Sequence, residues 1–341
     1  MTDRSNSLLR VGIIGAGGVA TKYHLPVLLN LPDVRVEWIV DVNKARAAQV
    51  ARAFKVQGAF ARIEEVGEVD AVLLAIPVGA RERSWELAFE RGWHVLSEKP
   101  FATNHARHRE IVARATAKGQ RIAVGQMRRY YPSTEICRRV VGSGIFGPLK
   151  EIIANEGGRM RGTGRGHDWY QGSAEQSGGG GMAETGCHLI DQVLYSSSAE
   201  RFQFESATGT FVDGIDFDGV IHSHAVFGSA LRVPCQFGIS RTVNRRTGIH
   251  FKYDNCFISM SVGIADSVTV SNNKGELMAT MRSEGAADVS IYRAFARQWI
   301  DFVQWCQGKG DCRIAATKVE PVTEMLDQFY ARAHRSEGGV L

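Results

Sequence analysis

The feature that most constrains the fold of this chain is a glycine-rich turn directly after an apolar run near the N-terminus. Residues 11–14 read Val-Gly-Ile-Ile, residues 15–20 read Gly-Ala-Gly-Gly-Val-Ala, and a helical pattern follows to about Asn30. This is the G-x-G-x-x-A order of a dinucleotide-binding turn, in the strand-to-helix context that such a turn requires. The glycines permit the tight turn and close approach of a pyrophosphate, and the alanine permits close helix packing. The alternative is a glycine-bearing turn that holds no ligand.

A carboxylate follows at the position expected for ribose binding. The β-rich run 34–40 ends in Asp41, about where the ribose-binding acid of a dinucleotide unit falls. This carboxylate would accept hydrogen bonds from a ribose 2′-hydroxyl and repel a 2′-phosphate, which favours NAD over NADP, although Lys44 and Arg46 soften that preference. The alternative role for Asp41 is the N-cap of a helix that begins near Asn43.

Strand and helix patterns alternate through the remainder of residues 1–127. Apolar strands are predicted at 71–77, 94–97 and 122–124, and helices at 81–91 and 104–118. This rhythm predicts a doubly wound parallel sheet whose ligand lies at the carboxyl ends of the strands.

Lys99 lies at one of these strand ends, and Pro100 restricts its backbone to an extended or turn conformation. A fixed ammonium group there could hydrogen-bond a substrate hydroxyl and stabilise its negative charge. The alternative is a solvated lysine.

Composition limits the class of protein. A length of 341 residues suits two domains, and we predict them at 1–127 and 128–341. The net charge of +5 is scattered, without the basic stripe of a nucleic-acid binder, and no run approaches the ~20 apolar residues of a membrane span. The polar N-terminus lacks a signal-peptide core, so we expect a cytoplasmic protein. The six cysteines show no metal-ligand spacing, and no metal is predicted.

The second half has the pattern of an α+β domain. A strand is predicted at 149–154, and residues 202–278 alternate apolar and polar side chains between turn signals, which indicates a large antiparallel sheet. Amphipathic helices are predicted at about 291–307 and 318–334.

A glycine run, Gly178 to Gly181, precedes a helical pattern from Met182 that carries an acid, a base and a second acid. Glu184, His188 and Asp191 would share one helix face. Glycine suits a seam in which the backbone closely approaches a neighbour. A histidine on an apolar helix is more often a core residue than a catalyst, so the pattern alone leaves both roles open for His188.

Taken in chain order, several motifs resemble the glucose–fructose oxidoreductase, inositol dehydrogenase and rhizopine-catabolism (Gfo/Idh/MocA) family. They are Val11–Ala20, His24-Leu25-Pro26, Ser97-Glu98-Lys99-Pro100, Gly125–Pro132 and Gly178–Asp191. The resemblance implies an N-terminal Rossmann domain and a C-terminal domain with a large open sheet, often buried in a dimer or tetramer. It also implies hydride transfer between NAD(H) or NADP(H) and sugars or cyclitols.

The resemblance assigns roles to individual residues. The lysine of the family's E-K-P motif falls on Lys99, and the histidine of its D-x-G-x-H motif falls on His188, which inherits the role of proton donor or acceptor. Two positions depart from the family. Glu184 replaces the usual aspartate, which moves the carboxylate by roughly 1 Å or more, and Arg81 replaces a frequent histidine, where we expect an effect on cofactor or substrate contacts.

The predicted site residues form three sets. The catalytic set is Lys99, His188 and Glu184, with Glu184 expected to orient the imidazole. The predicted cofactor contacts are Gly15, Gly17, Gly18, Val19, Ala20, Asp41, Ile76, Pro77, Glu98, Lys99 and Arg129. The predicted substrate contacts are Lys99, Tyr130, Arg159, Arg165, Trp169, His188 and Asp191. Asp191 either contacts substrate or satisfies a buried neighbour.

The segment 157–176 is predicted to be a loop rich in glycine and arginine. Its arginines suit an acidic or nucleotide-linked sugar, and the alternative is a solvated loop. Arg241, Arg245 and Arg246 lie between predicted strands and either reach the same ligand or are surface charges.

The predicted function is therefore an NAD(P)-dependent oxidoreductase, with NAD favoured, that acts on a secondary alcohol or ketone of a sugar derivative or cyclitol and assembles as a homodimer or homotetramer. Two alternatives stay open. One is NAD-assisted glycoside cleavage without net redox, and the other is a non-catalytic dinucleotide-sensing regulator, to which Glu184 gives some weight.

Overall fold

A computed structural model describes residues 8–158, 173–283 and 289–337. The chain divides into two compact units, the first comprising Met1–Met127 and Ile291–Val319, and the second Arg128–Ser290 and Glu320–Leu341. The first division coincides with the predicted boundary after residue 127. The segment Ile291–Val319, which we expected in the second domain, groups with the first unit instead.

The first unit is built on a six-stranded parallel sheet in the order β3-β2-β1-β4-β5-β6. Its strands are β1 Leu9–Ile14, β2 Val34–Val40, β3 Gly58–Phe60, β4 Ala71–Leu74, β5 His94–Ser97 and β6 Ile122–Val124. Every residue of β4 is buried, as expected for a strand covered on both faces. The strand predicted at 71–77 ends at Leu74, and β3 was not predicted because three residues carry no readable periodicity.

The α-helices of the described residues are α1 Leu25–Leu28, α2 Lys44–Phe54, α3 Glu82–Arg91, α4 His105–Ala117, α5 Pro132–Gly142, α6 Ala174–Ser177, α7 Cys187–Ser197, α8 Ile291–Cys306 and α9 Glu320–Arg332. A π-helical turn, Ala20–His24, leads into α1, and a second, Met182–Gly186, leads into α7. Asn43 and Asn104 cap α2 and α4 by accepting backbone N–H bonds, so both helices begin close to the predicted positions.

The second unit is built on a nine-stranded sheet in the order β14-β13-β12-β11-β7-β10-β9-β8-β15. Its strands are β7 Glu151–Gly157, β8 Arg201–Val212, β9 Ile215–Phe227, β10 Leu231–Ser240, β11 Gly248–Lys252, β12 Cys256–Met260, β13 Ser267–Asn272, β14 Leu277–Arg282 and β15 His334–Glu337. Two pairs, β7 with β10 and β8 with β15, are parallel, and the others are antiparallel. The predicted fold class, a Rossmann sheet followed by a large and mainly antiparallel sheet, is confirmed.

Two segments of the second unit differ from their predictions. Residues 334–337 form β15 on the edge of the sheet, where we expected the end of a helix. All four are exposed, so the segment lacks the apolar alternation that marks a strand. The last residues of the predicted loop 157–176 form, with Ser177, the single turn of α6, which Ser173 caps.

One face of the nine-stranded sheet is packed and the other is polar. Along β8, Phe202, Phe204 and Ala207 are buried, whereas Gln203 and Thr208 are exposed. The packed face contacts α7 and α9, and α5 packs on α7 and on β13. This arrangement fixes α7 and the π-helical turn before it against the sheet, and these elements carry the predicted histidine.

Candidate active site residues

The dinucleotide turn has the geometry that its sequence predicts. Gly15 adopts a φ of +102°, and a Cβ added to it would lie 2.4 Å from the carbonyl oxygen of Ala75. A Cβ added at Gly17 or Gly18 would meet no heavy atom of the described residues within 4 Å. Helical structure begins at Gly18, and the N–H groups of a first helical turn point outward with a partial positive charge. The turn therefore offers open space and backbone donors to a pyrophosphate.

Asp41 ties the end of β2 to this turn. Its Oδ2 accepts a hydrogen bond from the backbone nitrogen of Ala16 at 3.0 Å, and its Oδ1 accepts one from the backbone nitrogen of Asn43 at 2.8 Å. Arg46 Nη1 lies 3.9 Å from Oδ2. The N-cap of α2 is Asn43, which accepts a bond from the nitrogen of Arg46. The alternative in which Asp41 caps this helix is wrong, because Asn43 is the capping residue.

Glu98 ends a buried hydrogen-bonded chain inside the first unit. Trp299 Nε1 donates to His24 Nδ1 at 2.9 Å, so His24 is left to donate from Nε2 to Glu98 Oε1, also at 2.9 Å. A Cβ on Gly125 would lie 2.7 Å from the same carboxylate oxygen. Burial alone raises the pKa of Glu98, but the hydrogen bond from His24 and the charges of Lys99 and Arg81 outweigh it, and the pKa lies below its usual range.

This chain of three residues was only partly visible in the sequence. The sequence shows His24 within a motif without indicating its role, and it gives no sign that Trp299 is its partner. The two are 275 positions apart, so no local spacing relates them. Only the return of α8 to the first unit brings them together.

Arg81 does not extend into open space. It is 2% exposed, and it hydrogen-bonds to Ile76, Ser97, Pro100 and Phe101. Its guanidinium donors are directed to the protein itself, so the effect on cofactor or substrate contacts that we expect of this position stays a prediction and would act through the segments that Arg81 binds.

The glycine run before the second π-helical turn contacts a buried acid and a tyrosine. Asp216 accepts bonds from the backbone nitrogens of Gly180 at 2.7 Å and Met182 at 2.6 Å, and Tyr330 donates its hydroxyl to Asp216 at 2.7 Å. A Cβ on Gly179 would lie 2.0 Å from the Tyr330 hydroxyl oxygen, and one on Gly180 would lie 2.1 Å from the backbone oxygen of Asp216. The close approach that we predicted for these glycines is therefore to Asp216 and Tyr330.

The three side chains that we predicted to share one helix face have different surroundings in the structure. His188 is 6% exposed and lies in the first turn of α7. Asp191 is fully buried, and both of its oxygens accept bonds from Arg129 Nε at 3.0 and 2.9 Å, with a third bond from Arg129 Nη2 at 2.6 Å. This ion pair favours the alternative in which Asp191 satisfies a buried neighbour. It also occupies two nitrogens of Arg129, which we predicted to contact the cofactor.

Glu184 forms an ion pair with Arg241, which lies directly after β10. The Glu184 side chain is 40% exposed and that of Arg241 only 7%. The predicted role of orienting His188 stays a prediction, but the carboxylate also balances the charge of an almost buried arginine.

Other predicted contacts can be placed only in part. Tyr130 is buried, with 2% exposure. Arg159, Arg165 and Trp169, which we predicted to contact substrate, lie outside the described residues. Among the described ranges, no group of three metal-ligating side chains occurs, and no helix there is long and apolar enough to cross a membrane.

Known proteins resemble this chain in sequence and in fold. Residues 9–126 match the sequence model of an oxidoreductase family with an NAD-binding Rossmann fold (GFO_IDH_MocA). The chain is 28% identical over 216 residues to trans-1,2-dihydrobenzene-1,2-diol dehydrogenase of Mus musculus, covering 61% of this chain and 62% of that protein. It is 25% identical over 330 residues to D-glucoside 3-dehydrogenase of Escherichia coli K12, covering 89% and 90%.

Among solved structures, the fold is similar to KijD10, a 3-ketoreductase from Actinomadura kijaniata, in its complex with NADP and TDP-benzene. The TM-score is 0.82 at 18% identity, over 97% of this chain and 99% of that one. With the dihydrodiol dehydrogenases of mouse, cow and pig, the match spans only 59% to 62% of their length.

The predicted resemblance and the predicted class of cofactor, NAD or NADP, are confirmed by these matches. The parallel Rossmann sheet of the first unit agrees with the family description. Residues 9–126, the dinucleotide-binding part of the chain, are thus identified by their match to the Gfo/Idh/MocA family of oxidoreductases.

Proposed function

We propose that this protein transfers hydride between a nicotinamide dinucleotide and a secondary alcohol or ketone of a sugar, a sugar derivative or a cyclitol. The observation that carries the proposal is the first unit itself, in which an open dinucleotide turn and Lys99 both lie at carboxyl ends of one parallel sheet. The names of the relatives, a dihydrodiol dehydrogenase, a glucoside 3-dehydrogenase and a 3-ketoreductase, support the same class of reaction.

The reaction requires control of one proton and one developing negative charge. When bound, the nicotinamide accepts or supplies the hydride. We propose that His188 takes the hydroxyl proton during oxidation and returns it during reduction. Lys99 hydrogen-bonds the same substrate oxygen and stabilises the negative charge that develops on it. Glu184 is proposed to orient His188.

Cofactor preference is proposed to rest on Asp41. Its carboxylate is held by two backbone N–H groups at the end of β2, and a fixed negative charge there favours the ribose hydroxyls of NAD over a 2′-phosphate. Arg46 near this carboxylate reduces the discrimination. We therefore expect use of both cofactors, with NAD preferred.

For the substrate we propose a chemical class, and for the assembly we propose a contact surface. Arg245 and Arg246, between β10 and β11, together with the arginines at 159 and 165, favour an acidic or nucleotide-linked sugar. The polar outer face of the nine-stranded sheet is proposed as the contact between identical chains, in a dimer or tetramer.

The six cysteines are free thiols, which agrees with a cytoplasmic location.

A dehydrogenase panel tests the proposal directly. The purified chain is supplied with NAD⁺ or NADP⁺ and with polyols, cyclitols, dihydrodiols and acidic sugars, and the absorbance of the reduced nicotinamide is followed. His188→Asn is expected to lower kcat by roughly 100-fold or more, because general acid–base catalysis is typically worth that factor. Binding of NADH, measured by fluorescence, is expected to persist.

The outcomes separate the alternatives. Turnover that His188→Asn leaves intact would refute the role of His188. Cleavage of an aryl glycoside with tightly bound NAD and no net absorbance change would favour the glycoside-cleaving alternative. Binding of NADH without turnover of any substrate would favour a dinucleotide-sensing regulator.

A further inference from the structure

Arg81 is a buried charged residue that the proposed chemistry leaves unused. It follows the 3-10 turn Val78–Ala80 and directly precedes α3. Burial lowers the pKa of Arg81 to about 10, partly offset by the negative charge of Glu98, so the guanidinium is still a cation at neutral pH.

All three guanidinium nitrogens of Arg81 bind the first unit. Nε and Nη2 donate to the backbone oxygen of Ile76 at 3.0 and 2.9 Å. Nη1 donates to Ser97 Oγ at 3.1 Å and to the backbone oxygens of Pro100 at 2.6 Å and Phe101 at 3.2 Å. One side chain therefore joins the segment after β4 to the segment after β5.

The two joined segments are those in which the proposed chemistry takes place. Ile76 lies in the predicted cofactor-binding segment, and Lys99 lies between the bonded residues of the other. Glu98 is held from a second direction by His24. The backbone of residues 97–101 is thus fixed at several points, and the reactive lysine lies between them.

An arginine suits this position for a geometric reason. Its planar guanidinium presents five N–H donors in a rigid fork, so it can bind acceptors on two segments at once. A lysine has one nitrogen at the end of a flexible chain, and a histidine has two ring nitrogens. Neither can reproduce the contacts to Ile76 and to Pro100 and Phe101 together.

We propose that Arg81 is a positioning residue that sets the spacing between the cofactor-binding segment at Ile76 and the segment that carries Lys99. The proposal rests on the proposed function, because it assigns Arg81 to the geometry of hydride transfer. Displacement of a reacting group by about 1 Å can lower the rate roughly 100-fold. Loss of the fork is therefore expected to lower kcat far more than it weakens cofactor binding.

Three variants test the proposal. Arg81→Lys keeps the positive charge but loses the forked guanidinium group, and Arg81→Ala removes both. Arg83→Ala is the matched control, because Arg83 is an exposed residue of α3 that pairs with Glu64. We expect Arg81→Lys to lower kcat by about 100-fold, with a much smaller change in the Kd for NADH. Added guanidinium is expected to restore part of the activity of Arg81→Ala. Arg83→Ala is expected to behave like the wild type.

A second readout does not depend on turnover. The rate at which acetic anhydride labels the Lys99 amine, followed by mass spectrometry, reports the surroundings of that amine without any substrate. We expect Arg81→Ala and Arg81→Lys to change this rate several-fold, and guanidinium to reverse the change in Arg81→Ala. If the wild type transfers no hydride, the proposed function fails, and the labelling still decides whether Arg81 positions Lys99.

The proposal would be overturned by a folded Arg81→Lys protein with wild-type kcat and wild-type labelling of Lys99. Equal loss of NADH binding and turnover without any change in labelling would also overturn it, since that result indicates only general destabilisation. If Arg81→Ala does not fold, Arg81→Lys decides the question, because its retained ammonium still balances Glu98.

Discussion

At the scale of single residues, buried partners hold the charged groups near the proposed chemistry: His24 donates to Glu98, and Glu184 pairs with Arg241. Lys99 and His188 follow from motifs whose order along the chain is informative. Their buried neighbours do not, because a hydrogen bond such as that between His24 and Trp299 leaves no spacing signal. The sequence shows Arg241, the partner of Glu184, only as an arginine between strands, and its near-complete burial depends on the packing of the whole second unit.

Glu98 gives a testable pH dependence at this scale. Its pKa is lower in the folded protein than in the unfolded chain, so its contribution to stability is present above the unfolded value of about 4.3 and is lost as the pH falls through the folded value. Glu98→Gln is expected to lower the free energy of unfolding at pH 7 by roughly 1 to 3 kcal/mol. The difference between the two proteins should shrink in acid.

The measurement is urea denaturation of wild type and Glu98→Gln from pH 3 to pH 7, at one ionic strength. Glutamine preserves the shape of the side chain, so the comparison isolates the charge. A difference that grows as the pH falls, or one that is absent at pH 7, would contradict the lowered pKa of Glu98.

At the scale of elements, the strands and helices with strong periodicity were predictable. The runs that became β2 and β5 match their predicted bounds, because each contains a buried apolar run, residues 38–40 in β2 and residues 95–96 in β5. The short β3 and the polar β15 could not be predicted, because neither has a buried apolar run of its own. Both strands are stabilised by pairing with a neighbouring strand. The π-helical turn before α7 also has no sequence pattern of its own, and its contacts with Asp216 and Tyr330 were found only in the structure.

Tyr330→Phe tests the support of that turn. The hydroxyl donates to Asp216 and accepts from the backbone nitrogen of Ala183 at 3.0 Å. Its removal leaves buried partners unsatisfied, and we expect a loss of roughly 1 to 3 kcal/mol in unfolding free energy, measured by urea denaturation. Tyr292→Phe, at a position 45% exposed in α8, is the control and should change stability little. Equal stability of Tyr330→Phe and the wild type would show that these bonds contribute nothing.

At the scale of the whole molecule, the sequence indicated two domains but not which segments of the chain belong to each domain. The fold class followed from the change of periodicity between the halves. The grouping of Ile291–Val319 with the first unit could not be predicted. The amphipathic pattern of α8 indicates that the helix covers an apolar surface, but it does not indicate which surface.

The proposed assembly through the outer face of the nine-stranded sheet is testable by a single charge. His222 lies on an interior strand, β9, and is exposed. His222→Asp in a self-complementary contact would place like charges near each other, so we expect a shift toward monomer in size-exclusion chromatography with light scattering. Glu90→Lys, on the exposed surface of α3, should leave the mass unchanged. A wild type that is monomeric at micromolar concentration would refute the proposed interface.

The return of Ile291–Val319 to the first unit has a consequence for biosynthesis. This segment supplies Trp299 to His24, the oxygen of Ile314 to the nitrogen of Val124 at 2.9 Å, and the oxygen of Ala316 to His108 at 3.0 Å. A ribosome makes the dinucleotide turn long before these partners. The Rossmann unit therefore leaves the ribosome with part of its buried hydrogen bonding still unmade. It can be completed only after the intervening nine-stranded unit has almost entirely been synthesised.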